Sequence, residues 1–322
     1  MREISGFSLP AASDVDLEDS LFHYTTATGL LGILNSGSLW TTAYYCANDE
    51  SEMESADRIL TSFFREHASS LIEKEDPRIE VFQNRGVGIR NHTEKFERTV
   101  TNWALHAACV YIACFYRASE KQDFYHGLLS QWRSYGTDGG YALQFSRKKL
   151  QATIKENNPY YDLQDVYYQK DNPLKTALEE HKSSYIAAFE DQLEFLAGPL
   201  LSGAKYPNPV HKLLNGPLEA YFEYLIHTKK AHFREERECR LTWLETVSPN
   251  DSSVEIKYYN RNGLIVPYIE TPADLDILEC VDWIIVGPGP RMADRFSSVT
   301  QLVRRLDLSI KVRPSEIPLS RH

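Results

Sequence analysis

Residues 20–37, SLFHYTTATGLLGILNSG, join a short aromatic segment to an amphipathic one, and this unit decides the fold class. The apolar and aromatic run from Leu21 to Thr25 predicts a strand. The leucines and isoleucine that follow predict a helix over residues 28–34. Its predicted caps are Thr26 or Thr28 at the start and Gly37 at the end. A strand that leads directly into a helix near the N-terminus indicates a mixed α and β protein.

The polar end of this strand is its most informative feature. His23, Tyr24 and Thr25 follow one another between apolar residues, and Thr26 adds a further hydroxyl. An imidazole among hydroxyl groups can form the floor of a pocket for a ribose. The simpler interpretation is a histidine whose hydrogen bonds are satisfied inside the core.

The rest of the chain alternates between strand and helix patterns without an internal repeat. We predict one α+β domain over residues 20–319, a mainly helical insertion at about 171–232, and an N-terminal tail at 1–19. Residues 74–92 are rich in charge and predict an exposed connection. Further strands are predicted at 110–116, 141–145, 166–168, 238–244 and 283–286, with a hairpin over 254–269 and a last helix up to about residue 306.

Composition limits the class of function. The 322 residues include 45 acidic and 35 basic side chains, and a net charge of -10 disfavours non-specific binding to nucleic acid. The five cysteines are odd in number and widely spread, which fits reduced thiols in a cytoplasmic protein. Neither a signal peptide nor a membrane span is visible, so we expect a soluble protein without a membrane partner.

Several short strings occur in a specific order along the chain. They are Phe22 to Thr25, Leu30 with Gly32 to Leu34, Gly37 with Leu39-Trp40, Asn48-Asp49 with Glu52, Ala113 to Phe115, Trp132 to Tyr135, Gly140 to Leu143, Glu236 to Leu241, Val266 to Tyr268, Ile284 to Gly287 and Ser315 to Pro318. This ordered set resembles the bacterial domain-of-unknown-function family numbered 2971. Tyr116 departs from that family, which usually has Ser at this position, and no family pattern is matched at about 171–232.

The layout of that family is similar to the ADP-ribosyltransferase fold. The resemblance implies a split mixed or antiparallel sheet with flanking helices. It also implies an enzyme that uses nicotinamide adenine dinucleotide (NAD) as a substrate to modify an intracellular macromolecule. Such an enzyme would act as a toxin or as a phage-defence effector. The acceptor would be a protein or a nucleic acid, an antitoxin or defence-system protein would be a further partner, and no metal cofactor is expected.

The same resemblance assigns roles to candidate residues. Cleavage of the nicotinamide–ribose bond produces an oxocarbenium-like centre, which a carboxylate stabilises. Glu238 is the predicted carboxylate, with Glu236 as the alternative, because alternation along a strand places both beside Arg240. His23 and Thr25 are predicted on the ribose. Either Tyr135 or Tyr141 would pack on the nicotinamide, and the remaining predicted binding residues are Tyr24, Thr26, Trp132 and Arg240.

Two other classes of function remain open. A non-catalytic module would keep the cleft and bind a nucleotide or a protein. A metal-dependent nuclease or hydrolase would use Asp49 and Glu52, although helix capping explains that acidic run more simply. The segment Gly287-Pro288-Gly289-Pro290 is not a phosphate loop, because its prolines remove amide donors. Arg304 and Arg305 are predicted on a solvated helix face.

Overall fold

The computed structural model describes most of the chain. The described residues are 15–46, 53–84, 88–107, 109–135, 139–157, 161–168, 172–198, 213, 216–245, 255–261, 263–272 and 275–317.

The strand–helix unit predicted near the N-terminus is confirmed. The strand β1 spans Ser20–Thr25 and the helix α1 spans Ala27–Ser36. The Thr26 side chain accepts the backbone N–H of Gly29 at the start of the helix. Gly37 ends it with a φ of 69°, a left-handed conformation that glycine adopts without strain.

The strands form one large sheet and one small sheet. After β1 they are β2 Trp40–Ala43, β3 Cys109–Arg117, β4 Tyr141–Ser146, β5 Tyr161–Asp165, β6 Tyr167–Tyr168, β7 Thr228–Lys229, β8 Glu238–Glu245, β9 Lys257–Arg261, β10 Leu264–Glu270, β11 Val281–Val286 and β12 Lys311–Pro314. In the large sheet the order is β12-β11-β4-β1-β3-β2-β10-β9, with β8 on the other edge of β3 and β5 beyond it. Among the described residues, only the β11–β12 pair of this sheet is parallel, and β6 and β7 form a separate parallel pair.

The large sheet splits at β3. One edge of β3 pairs with β8 along its length, from Cys109 to Tyr116. The other edge pairs with β2 at Tyr111 and Ile112, and with β1 only at Tyr116 and Arg117. Between these contacts β1 and β2 diverge, so the backbone around Ala113 to Phe115 has no strand partner on that edge among the described residues. The predicted mixed sheet of an α+β protein is therefore present.

Helices cover both faces of the sheet. After α1 they are α2 Met53–Glu73, α3 Pro77–Asn84, α4 Ile89–Ala107, α5 Lys121–His126, α6 Leu129–Tyr135, α7 Arg147–Asn157, α8 Pro173–Glu180, α9 Lys182–Ala197, α10 Pro217–His227 and α11 Met292–Arg305. On the first face α1, α7 and α11 bury their apolar residues together with Leu21, Phe115 and Leu143. On the second face α5 and α6 cover Phe22 and Tyr116, and the longer helices cover Val110 and Ile112.

Two regions differ from the sequence-based prediction. Residues 74–92 are not simply an exposed connection, because α3 lies there and buries Ile79 and Phe82. The strand predicted at 166–168 is a two-residue strand, β6, preceded by the longer β5. The predicted insertion is mainly helical where it is described, and its helices α8, α9 and α10 share a core with α2 to α4. None of the described helices combines the length and apolar character needed to span a membrane.

Candidate functional site

The strand registers place His23 and Glu238 on opposite faces of the sheet. Phe22 lies opposite Tyr116, and Tyr116 lies opposite Glu238, so these three side chains share the second face. The ring of His23 packs instead against Phe115, which belongs to the core of the first face. The prediction that His23 and Glu238 face one cleft is therefore wrong.

His23 occupies the split in the sheet. Its Nδ1 atom donates a hydrogen bond to the carbonyl oxygen of Cys114 at 3.0 Å, at a position where β1 has already separated from β3. Burial lowers the pKa of the imidazole, and the Cys114 carbonyl offsets this only in part. A neutral imidazole that donates from Nδ1 has Nε2 as an acceptor. His23 thus satisfies a backbone group that the split leaves without a strand partner.

Thr25 and Tyr141 lie on the same face as His23. They are paired in the register of β1 and β4. The guanidinium of Arg295 lies 5.9 Å from the centre of the Tyr141 ring and fills the space beside Gly139. A nicotinamide could not stack on that part of the ring unless Arg295 moved. Thr26 is exposed and serves as the cap of α1.

Glu238 is the centre of a buried ion network on the second face. Its side chain is 1% exposed, Arg240 Nε donates to it at 2.7 Å, and Lys229 Nζ donates at 3.0 Å. Burial alone would raise the pKa of Glu238, but Arg240, Lys229 and a hydrogen bond from the Cys114 thiol lower it to about 2. Glu238 is thus an anion at neutral pH, enclosed by its partners.

Glu236 belongs to the same network but lies nearer the surface. It ends a 3₁₀ helix over Ala231–Glu236, not a strand as predicted, and Arg237 follows with a left-handed φ of 42°. That turn brings Glu236 back to Lys229 Nζ at 2.6 Å, and its side chain is 15% exposed. Of the two predicted carboxylates, Glu236 is the one that a ligand can approach.

Aromatic residues adjoin this network. Trp132 is fully buried, donates its indole N–H to the His126 carbonyl, and packs edge-on against Tyr24. The Tyr24 hydroxyl accepts the backbone N–H of Leu128, so both residues form core. Tyr135 is only partly buried. Of Tyr24, Trp132 and Tyr135, it is the most accessible to a ligand.

Tyr116 lies close to several of the predicted site residues. Burial raises its pKa well above the usual range, and the nearby Tyr135, Glu238 and Glu236 raise it further. The predicted residues on the second face are therefore close together. They are Tyr24, Trp132, Tyr135, Glu236, Glu238 and Arg240.

Two residues of this site were not predicted from the sequence. Lys229 binds both carboxylates from β7, and Gln131 lies with its Nε2 atom 3.5 Å from Glu236 Oε1. The Oε1 atom of Gln131 is buried without a hydrogen-bond partner among the described residues. Gln131 immediately precedes the Trp132 string, which was a signal that could have identified it. Lys229 lay inside the insertion, where no family pattern was recognised.

The acidic loop with Asp49 and Glu52 lies outside the described residues. Among the residues that are described, no group of three or more His, Cys, Asp or Glu side chains could hold a metal ion. Arg304 and Arg305 are exposed, as predicted.

A comparison with known protein families matches the part of the chain that contains these site residues. The sequence profile of the family described as "Protein of unknown function (DUF2971)" matches residues 131–241. This match supports the predicted resemblance to that family over these residues. Gln131, Tyr135, Lys229 and Glu236 all lie within the matched residues. No curated protein matched the chain, and no solved structure matched it.

Proposed function

We propose that this protein is an ADP-ribosyltransferase-like enzyme that uses NAD and modifies a macromolecular acceptor. The observation that supports it best is the convergence of Tyr135 and Glu236 around Tyr116, on one face of a split sheet. Both side chains are partly accessible, whereas Glu238 is enclosed.

In the proposed reaction the bond between the ribose C1′ and the nicotinamide nitrogen breaks. The nicotinamide leaves with the electron pair of that bond, and the positive charge moves to the ribose. Glu236 would stabilise this charge, and Tyr135 would pack on the nicotinamide. The acceptor then forms a bond to C1′ and loses its proton to solvent or to a nearby base.

Glu238, Arg240 and Lys229 would act as positioning residues. Their charges hold the start of β8 against β7, and so they fix the turn that presents Glu236. A rigid supporting shell of this kind keeps a reacting carboxylate in place.

Release of free nicotinamide tests the proposal. Purified full-length protein is incubated with NAD and cell lysate, and Glu236→Gln should lower nicotinamide release by about a hundredfold. Glu235→Gln is the matched control, since Glu235 is exposed in the same 3₁₀ helix and should leave the rate unchanged. Absence of nicotinamide with the wild-type protein, or full activity of Glu236→Gln, would contradict the proposal.

A second candidate function is a non-catalytic module that binds a nucleotide or a protein. It is favoured by the charge balance of the network, in which Glu236 and Glu238 are met by Lys229 and Arg240. Saturable binding of NAD without release of nicotinamide would favour this candidate over the enzyme.

A further inference from the structure

Gln131 carries a buried polar atom that no described residue satisfies. Its side chain is 2% exposed, and its Oε1 atom has no hydrogen-bond partner in the described part of the chain. Its Nε2 atom lies 3.5 Å from Glu236 Oε1. The large majority of buried side-chain polar atoms have a hydrogen-bond partner, so an acceptor left over beside a candidate site indicates a missing donor.

The orientation of the Gln131 amide follows from its neighbour. The oxygen and nitrogen of an amide can exchange places, and the surrounding hydrogen bonds decide between the two orientations. The reverse orientation would set the Gln131 oxygen against the carboxylate of Glu236, which would bring two acceptors together. The nitrogen therefore faces Glu236. One Nε2 hydrogen and the Oε1 atom are left without a partner among the described residues.

The helix α6 places Gln131 next to both residues of the proposed reaction. The backbone N–H of Gln131 donates to the Leu128 carbonyl oxygen at 3.1 Å, which fixes the residue in the first turn. Tyr135 follows four residues later, so the two side chains are neighbours on one side of the helix. Gln131 thus adjoins Tyr135 along the helix and Glu236 across the site.

The charges around Gln131 favour a neutral ligand group. Lys229 Nζ lies 2.6 Å from Glu236 and 3.0 Å from Glu238. Arg240 Nε donates to Glu238 at 2.7 Å, so two carboxylates are met by two cations. A further carboxylate at Gln131 would meet the Oε1 acceptor and the Glu236 anion, and both cations are already engaged. A primary carboxamide is neutral and offers one donor and one acceptor to match those of Gln131.

We propose that Gln131 is a specificity-determining residue that binds the carboxamide of the nicotinamide ring. This inference rests on the proposed function, in which that ring leaves beside Glu236. The amide of Gln131 turns about its last torsion, which is soft in glutamine, and accepts the carboxamide N–H at Oε1. Its Nε2 atom donates to the carboxamide oxygen. Adenine offers a similar donor and acceptor pair, but only the nicotinamide end of NAD has to lie beside the reacting carboxylate.

NAD and nicotinic acid adenine dinucleotide make a matched pair of substrates, because only the carboxamide is exchanged for a carboxylate. Release of the free pyridine from each is measured with purified full-length protein and cell lysate. We expect kcat/KM for NAD to exceed that for the acid by at least about a hundredfold, since the acid leaves Gln131 Oε1 unpaired.

Replacement of Gln131 tests whether this residue causes the preference. Gln131→Met retains the length of the side chain and should lower the ratio of the two kcat/KM values at least about tenfold. The intrinsic reactivity of the two dinucleotides differs, so the decisive quantity is the change of this ratio in the variant. A merely structural defect would lower both rates together and leave the ratio unchanged. Gln122→Met is the control, because Gln122 is exposed on α5 and should leave the ratio unchanged.

Free nicotinamide and nicotinate report binding without turnover. In a calorimetric titration of the full-length protein, nicotinamide should bind at least about tenfold more tightly than nicotinate, and Gln131→Met should remove the difference. If that variant does not fold, Gln131→Asn should show the same loss, because it withdraws the amide but keeps it polar.

The outcomes separate this inference from the proposed function. Cleavage of NAD with an unchanged ratio in Gln131→Met would overturn the role of Gln131 and leave the proposed function intact. Equal affinity of the wild-type protein for nicotinamide and nicotinate would also overturn that role. If NAD is not cleaved while nicotinamide is preferred and the preference depends on Gln131, the enzyme reading fails and the role of Gln131 in binding stands.

Discussion

Glu238 keeps its negative charge inside the protein because two cations hold it there. Arg240 and Lys229 both bind its carboxylate, and the Cys114 thiol adds a hydrogen bond. Loss of one member of a buried ion group leaves the other members uncompensated. Glu238 therefore contributes to stability, whatever its part in function.

Replacement of Glu238 should destabilise the fold. Glu238→Gln removes the anion but retains the shape, and should lower the free energy of unfolding by about 3 kcal/mol in a denaturant titration. Glu120→Gln is the control, since Glu120 is exposed and should change it by less than about 0.5 kcal/mol. Equal midpoints for the wild type and Glu238→Gln would refute the buried network.

The same residue predicts a pH dependence. The pKa of Glu238 is about 2 in the folded protein, below its ordinary value of 4.5. The contribution of Glu238 to the free energy of unfolding is therefore fully present above about pH 4.5. It is lost as the pH falls toward 2. The stability difference between wild type and Glu238→Gln should shrink by about 3 kcal/mol over this interval. A constant difference from pH 5 to pH 2 would be incompatible with this account.

Among the elements, the pairing of β3 with β1 and β8 separates the predicted site residues. His23 lies on the first face of the sheet and Glu238 on the second face. His23 lies one position away from the Phe22–Tyr116–Glu238 row, which places it on the other face. Alternation within one strand can be read from the sequence. The face that each strand presents depends on cross-strand register, which pairs residues more than 90 positions apart.

Local signals predicted the elements that they control. Thr26 and Gly37 act within a few residues of themselves, and the helix between them was correctly predicted. The helix α3 was missed because its charged surroundings concealed Ile79 and Phe82, which are buried only through contact with helices elsewhere in the chain. Short strands such as β12 depend on pairing with β11 rather than on their own pattern.

Gly37 offers a test at the scale of one element. A Cβ at this position would meet no atom within 4 Å, so Gly37→Ala introduces conformational strain without a clash. We expect a loss of about 1 kcal/mol in the free energy of unfolding, and a smaller loss for Gly37→Asn, because Asn tolerates the left-handed conformation. Equal free energies of unfolding for Gly37→Ala and Gly37→Asn would contradict a left-handed conformation at the end of α1.

At the scale of the whole molecule, the two faces of the sheet have different roles. The first face holds the compact core of α1, α7 and α11, together with His23 and Tyr141. The second face combines the ion network, the partly exposed Tyr135 and the segments within the matched residues 131–241. We therefore propose that NAD binds on the second face.

Hydrogen–deuterium exchange of the full-length protein with and without saturating NAD tests this placement most directly. We predict added protection in residues 128–135 and 229–238, with no change in residues 20–25 or 141–146. Protection confined to the segments of His23 and Tyr141, or no protection anywhere at saturating NAD, would contradict the proposed site.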